Sequence, residues 1–129
     1  MTIFTFVQTK KVKLVRATGD CFEAAVNFVM DKCTFAENCP FVIVQAEVAG
    51  QGPLEGVSFG HAYAVDTRTN TVIDRSNGRN VVMPRDVYEM LGQINQIGNF
   101  FEYSWKEARE QMIKHEHYGP WDLKTSTGL

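Results

Sequence analysis

No stretch of this chain approaches the roughly 20 consecutive apolar residues that a membrane-spanning helix needs, so no membrane span is expected. A dense Lys/Arg cluster is also missing: 13 basic residues stand against 15 acidic ones, for a formal charge of −2. The short Lys10-Lys11-Val12-Lys13 run reads as a solvated edge strand rather than a polyanion patch. Neither a nucleic acid nor a membrane is therefore expected as a partner. Residues 1–7 lack a basic leader and an unbroken apolar core, so no signal peptide is read there. The cysteine count is three, an odd number. Without a leader, that argues against a disulfide framework and for a reducing, cytoplasmic setting with at least one free thiol. There is no repeat, low-complexity run or linker. The 129 residues, 44% hydrophobic and 22% charged, are expected to form one domain over 1–129, with 122–129 as a frayed tail.

What is present alternates between short β-rich runs and helical patterns. Residues 3–7 and 12–15 suggest a hairpin around Gln8, Thr9 and Lys10. Ala17-Thr18-Gly19-Asp20 is a turn cluster, and a helix is expected directly after it. With Asp20 as N-cap, Glu23 falls at N3 in a D-x-x-E capping arrangement. Phe22, Val26, Val29 and Met30 then share one apolar stripe that ends near Cys33. Strands are expected over 41–48, 57–65 and 71–74, the last two joined by a polar turn. Residues 49–56, with three glycines and a proline, form an exposed connection. Pro84 opens a short helix to about Leu91, and Ser104-Trp105-Lys106-Glu107 is a capping box for a last helix carrying Trp105, Ala108 and Met112, closed by Gly119. This order is an α+β plan, a helix packed on an antiparallel sheet.

Among the cysteines, Cys21 has the chemically distinctive position. At the start of a helix it meets unpaired backbone N–H groups and the positive end of the macrodipole, both of which favour a thiolate and a neighbouring oxyanion. Cys33 and Cys39, spaced C-x5-C, fit neither zinc nor a C-x-x-C redox pair and read as structural. A nucleophile needs a base, and the base needs an orienter. Strand alternation puts Phe59, His61, Tyr63 and Val65 on one face. If Asp66 lies opposite Thr71, Tyr63 faces Asp74 and His61 is its diagonal neighbour, roughly 7–8 Å away along the backbone and within side-chain reach. A one-residue slip would send Asp74 to the other face. Taken singly, each residue has a plainer reading: a small core thiol, a packed histidine, and an aspartate that forms the Ser76-Asn77-Gly78 turn.

Gly19-Asp20-Cys21-Phe22 opening a helix, Gly60-His61-Ala62-Tyr63 on a strand and Val72-Ile73-Asp74 on the next resemble the transglutaminase-like branch of the papain-like fold. The resemblance spans residues 19–78 and implies Cys21 as nucleophile, His61 as base and Asp74 as third member of a triad. It implies thiol-dependent acyl transfer without cofactor or metal: hydrolysis of an amide or ester in a peptide, protein or small molecule, in preference to transamidation. Residues 61–79, together with His117-Tyr118-Gly119-Pro120-Trp121, are also similar to small phage and bacterial proteins. Phe22 and Tyr63 stand where the family usually carries Trp. Val15 and Arg16 occupy the region of the papain oxyanion Gln; Gln8 and Gln45 are the nearest glutamines, and the second oxyanion donor is left unassigned.

Two other functions fit the same residues. One is a catalytically inactive binding or inhibitory module on this fold; the other is a redox sensor pairing Cys21 with Cys33 or Cys39. His115-Glu116-His117 is poorly spaced for a metal, because helical residues two apart face different ways. Asn77 and Arg79 flank Asp74 as turn or surface residues, Trp105 and Trp121 are expected to close the core, and the 50–56 loop is a candidate lid.

Overall fold

The computed structural model describes residues 20–34 and 38–124. The expected hairpin over 3–7 and 12–15 lies outside the described residues.

Helix α1 (Cys21–Lys32) begins where expected, with the Asp20 carbonyl accepting the Ala24 N–H at 2.8 Å. Its buried face is Cys21, Phe22, Ala25, Val26, Phe28 and Val29, an i, i+3, i+4 pattern. Each large apolar side chain in that set contributes roughly 1.5–3 kcal/mol by leaving water. Met30, expected on the stripe, is instead 40% exposed, and Phe28 takes its place in the core. The expected D-x-x-E cap does not form either. The Asp20 side chain makes no capping bond to its own helix and turns outward to another segment.

The chain then builds an antiparallel sheet from β1 (Phe41–Ala49), β2 (Ser58–Asp66), β3 (Thr71–Asp74), β4 (Val81–Pro84) and β5 (Phe100–Ser104). The strand order is β4-β3-β2-β1-β5. β1 pairs with β2 from Phe41↔Asp66 to Ala49↔Ser58, and β2 pairs with β3 from Asp66↔Thr71 to Ala64↔Ile73. β4 and β5 were not anticipated. β4 ends on Pro84 and β5 on Ser104, residues whose helix-opening signals mask the short strands ahead of them.

Alternation along the central strands separates two cores. Ile43, Ala62 and Ala64 pack with α1 and with Trp105 and Ala108 of helix α3 (Trp105–His115). Val44, Ala46, Tyr63, Val65 and Val72 form the opposite core, closed in part by Tyr88 of helix α2 (Arg85–Leu91). The small Ala62 and Ala64 let α1 approach β2 closely, while the bulky residues between them fill the α2 side. Three helices flank the five-stranded sheet among the described residues, in agreement with the α+β expectation.

Two findings correct the sequence reading. Cys33 and Cys39 form a disulfide, with Cα atoms 5.4 Å apart. The end of α1 and the start of β1 must meet for the strand to pass under the helix, and that places the two thiols in bonding range. The expectation of a reducing, cytoplasmic setting loses the support it drew from unpaired thiols. Cys33 is also about 18 Å from Cys21 along the helix axis, which removes both candidate resolving partners for a Cys21 redox couple. The second correction concerns the tail. Leu123 is buried in the core, and Asp122 accepts the Tyr103 hydroxyl at 2.6 Å, so the chain is docked through residue 124.

No helix among the described residues is long and apolar enough to cross a membrane. The Ser104/Glu107 capping box is formed in both directions, Glu107 N to Ser104 Oγ at 3.1 Å and Ser104 N to Glu107 Oε1 at 2.9 Å. α3 ends at Glu116 in a left-handed conformation, three residues before Gly119. Ser104→Ala is expected to cost about 1 kcal/mol in urea unfolding, and Ser104→Asp to recover most of it. Titration of the unfolded, unreduced protein is expected to find one thiol; three would contradict the Cys33–Cys39 pairing.

Candidate functional site

The β2–β3 register is the one on which the sequence reading depended, with Asp66 opposite Thr71. Continued one step beyond Ala64↔Ile73, it sets Asp74 across from Tyr63 and diagonal to His61. The side chains close the remaining distance: His61 Nε2 is 2.9 Å from Asp74 Oδ2, and both residues are buried.

After Asp74 the chain leaves the sheet through a 3-10 turn, Ser76–Gly78. Asn77 adopts φ 57° and Gly78 φ 75°, left-handed conformations that asparagine and glycine tolerate best. This turn brings the Ser76 backbone N–H to 2.9 Å and its hydroxyl to 2.6 Å from Asp74 Oδ1. Asp74 therefore uses one oxygen as a turn former and the other to hold the histidine. Tyr88 also donates its hydroxyl to Oδ2, at 2.7 Å. The Arg79 guanidinium lies 3.6 Å from the same oxygen and bonds the Ser76 hydroxyl at 3.2 Å.

Cys21 is the first residue of α1 and is 1% exposed. Its thiol and His61 interact by charge and by a side-chain hydrogen bond. With Nε2 engaged by Asp74, Nδ1 is the ring nitrogen left to face the sulfur. The preceding residue joins the two halves of the site. The Asp20 carboxylate accepts the Asn77 backbone N–H at 2.9 and 3.0 Å, tying the start of α1 to the turn that follows Asp74.

The electrostatics follow from this packing. Burial is the largest influence on His61 and acts to lower its pKa. Electrostatic interaction with Asp74 and with Cys21, together with hydrogen bonds to both, outweighs it and pushes His61 up to about 10. Burial likewise acts to raise Asp74. The charge of His61 and hydrogen bonds from His61, Ser76 and Tyr88 overcome it and hold the carboxyl well below the usual carboxylate range. At neutral pH the pair is an imidazolium against a carboxylate, and the same ring interacts with Cys21.

All three residues named from the sequence thus come together. Ser76, Asp20 and Tyr88 were missed as members of the site. A signal for Tyr88 did exist: Arg85, Tyr88 and Glu89 lie at i, i+3, i+4 spacing and point a polar face inward. Tyr63 donates to Glu89 at 2.9 Å, and Arg85 bonds Glu89 and Glu102, each at 2.8 Å.

The remaining candidates lie elsewhere. Gln8 is outside the described residues. Gln45 is fully buried, but its amide is occupied by the Tyr118 carbonyl at 3.5 Å and the Trp121 N–H at 3.2 Å, so it anchors the C-terminal segment. His117 accepts the Gly119 N–H through Nδ1 at 3.0 Å, and no group of three metal-ligating side chains occurs among the described residues. Trp121 packs edge-on against Tyr103 at 5.0 Å, as a core-closing residue. The 50–56 connection contains a 3-10 turn, Gly52–Leu54, and is tied to α2 by a bond from the Gln51 side chain to the Leu91 carbonyl.

Set against known proteins, the chain matches no family model, no curated protein and no solved structure.

The buried pair gives a signed pH dependence. His61, raised above its ordinary value of 6.5, contributes stability that is complete below about pH 6.5 and is lost as pH climbs towards about 10. Asp74, lowered from 3.8, contributes stability that is present above pH 3.8 and is lost only in stronger acid. Urea unfolding of the wild type is expected to weaken between pH 7 and 9.5 by up to about 1.4 kcal/mol per pH unit relative to Asp74→Asn. Parallel curves for the two proteins would contradict the ion pair.

Proposed function

We propose that the protein is a thiol-dependent acyl-transfer enzyme of the papain-like, transglutaminase-like type. Cys21 serves as nucleophile, His61 as general acid and base, and Asp74 as the group that orients the ring. The observation carrying this reading is the 2.9 Å bond from His61 Nε2 to Asp74 Oδ2 on a ring that also interacts with Cys21. The chain order supports it too: a cysteine opens the helix, a histidine follows on a strand, and an aspartate ends the next strand.

The steps balance without a cofactor. The Cys21 sulfur, its proton held by His61, attacks the carbonyl carbon of an amide or ester, and the carbonyl π electrons move to oxygen. In this reading the backbone N–H groups at the start of α1 stabilise that oxyanion. Collapse breaks the C–N or C–O bond, and the leaving group takes the proton from His61. The resulting thioester is attacked by water, which gives a proton to the neutral imidazole. Breaking the C–S bond then releases a carboxylic acid, and the sulfur again stands beside a His61 that holds the proton. Water needs no second binding site, which favours hydrolysis over transfer to an amine.

Burial of Cys21 at 1% exposure means that an acyl group reaches the sulfur only when its cover moves. The same observation favours the second reading, an inactive binding or inhibitory module on this fold. Incubation with p-nitrophenyl acetate and iodoacetamide at pH 7.5 distinguishes the two. The enzyme reading expects an acetyl-Cys21 intermediate by mass spectrometry, stoichiometric alkylation of Cys21, and at least a 100-fold loss of ester turnover in Cys21→Ala. A folded wild type whose Cys21 takes up neither reagent would overturn it.

A further inference from the structure

α2 is turned inside out relative to an ordinary surface helix. Val87, Met90 and Leu91 are 38%, 68% and 48% exposed, while Tyr88 and Glu89 point into the protein. Such a helix is held by its polar contacts rather than by burying an apolar stripe. One of those contacts reaches the candidate site. The Tyr88 hydroxyl lies 2.7 Å from Asp74 Oδ2, the oxygen that His61 Nε2 approaches at 2.9 Å. The other oxygen, Oδ1, is already occupied by the Ser76 N–H and hydroxyl.

We propose that Tyr88 is a positioning residue for His61, its hydroxyl sharing Asp74 Oδ2 with His61 Nε2 and so limiting how strongly that carboxylate stabilises the imidazolium. This rests on the reading of Cys21, His61 and Asp74 as a triad. A general acid must release its proton to the leaving group from the ring nitrogen nearer the sulfur, and a carboxylate that stabilises the imidazolium too strongly through the other nitrogen slows that release. A hydrogen bond donated to a carboxylate stabilises its charged form, so a second donor on Oδ2 makes that oxygen a weaker acceptor for His61. The phenol is suited to this part. Burial, then the Asp74 charge, push its pKa up, so it remains a donor. The ring is fixed by packing on Tyr63, with centroids 4.7 Å apart. The ionisable groups facing this cluster are His61 and Tyr63 from β2, Asp74 from β3, Arg79 after the 3-10 turn and Cys21 from α1. Arg79 stands farther from Oδ2, at 3.6 Å, and its side chain is 42% exposed, so its pull is screened by water.

The test is a pH titration of 15N-histidine-labelled protein by NMR, reading the His61 ring nitrogens and the Nε2 proton. In Tyr88→Phe the ring packing is kept and the competing donor is lost. The His61 pKa is expected to rise by about half a unit to one unit, with the Nε2 proton moving downfield. A hydroxyl that merely braced the fold would act in the opposite sense, since a loosened Asp74 lowers His61. An unchanged or lowered pKa therefore overturns the proposal. Replacement of Tyr88 by 3-fluorotyrosine, a stronger donor of nearly the same shape, is expected to lower the His61 pKa; a rise or no change there also overturns it, even if Tyr88→Phe fails to fold. Cys21 acylation in the wild type is scored separately. Inert Cys21 with the expected His61 shifts would refute the enzyme reading and leave Tyr88 as the residue that sets His61.

Discussion

The Asp74 carboxylate is the group on which the rest of the site depends. It is 2% exposed, and a bare carboxylate at that depth would be protonated or would destabilise the fold by several kcal/mol. It persists as an anion because donors reach both of its oxygens. Ser76 supplies two to Oδ1, while His61 and Tyr88 converge on Oδ2. Each comes from a different kind of segment: a strand, a tight turn and a short helix. Taking one away leaves a buried charge short of a partner, which costs more than the bond alone is worth.

This requirement accounts for features of the fold that packing alone does not. Asn77 and Gly78 adopt left-handed backbone conformations so that the chain doubles back and aims Ser76 at Asp74. Asp20 gives up capping its own helix and accepts the Asn77 N–H instead. The start of α1 is thereby locked to the turn, and the sulfur of Cys21 to the ring that Asp74 orients. α2 exposes Val87, Met90 and Leu91 because its inner face is given to Tyr88, Glu89 and Arg85. The Cys33–Cys39 disulfide stands at the other end of α1 and closes a short loop, a constraint on the order of 2 kcal/mol on the unfolded chain and separate from the site.

Much of this was legible before any coordinates. A helix start is a local event, and the turn cluster ahead of Cys21 marked it. The β2–β3 hairpin is also local. Its four-residue loop allowed the register to be worked out, and with it the meeting of His61 and Asp74. What escaped notice depends on distant parts of the chain. Glu23 lies at N3 as a D-x-x-E cap requires, but Asn77, 57 residues from Asp20, competes for the carboxylate and wins. Met30 and Phe28 are equally apolar, and only the position of β1 decides which is buried. Two cysteines six residues apart read as unrelated until the helix end and strand start were placed together. β4 and β5 run straight into the helix-opening residues Pro84 and Ser104, which hide them, yet β4 sits beside β3 as the sheet edge next to Asp74.

The central claim is that the Cys21 sulfur sits on the side of the His61 ring opposite Asp74, close enough for each to feel the other's charge. The most direct measurement is the His61 pKa by NMR in the wild type and in Cys21→Ala. The account predicts a distinctly lower value in the variant, because an electrostatic interaction and a hydrogen bond that raise it are removed while Asp74 remains. The same value in both proteins would mean that sulfur and imidazole do not meet.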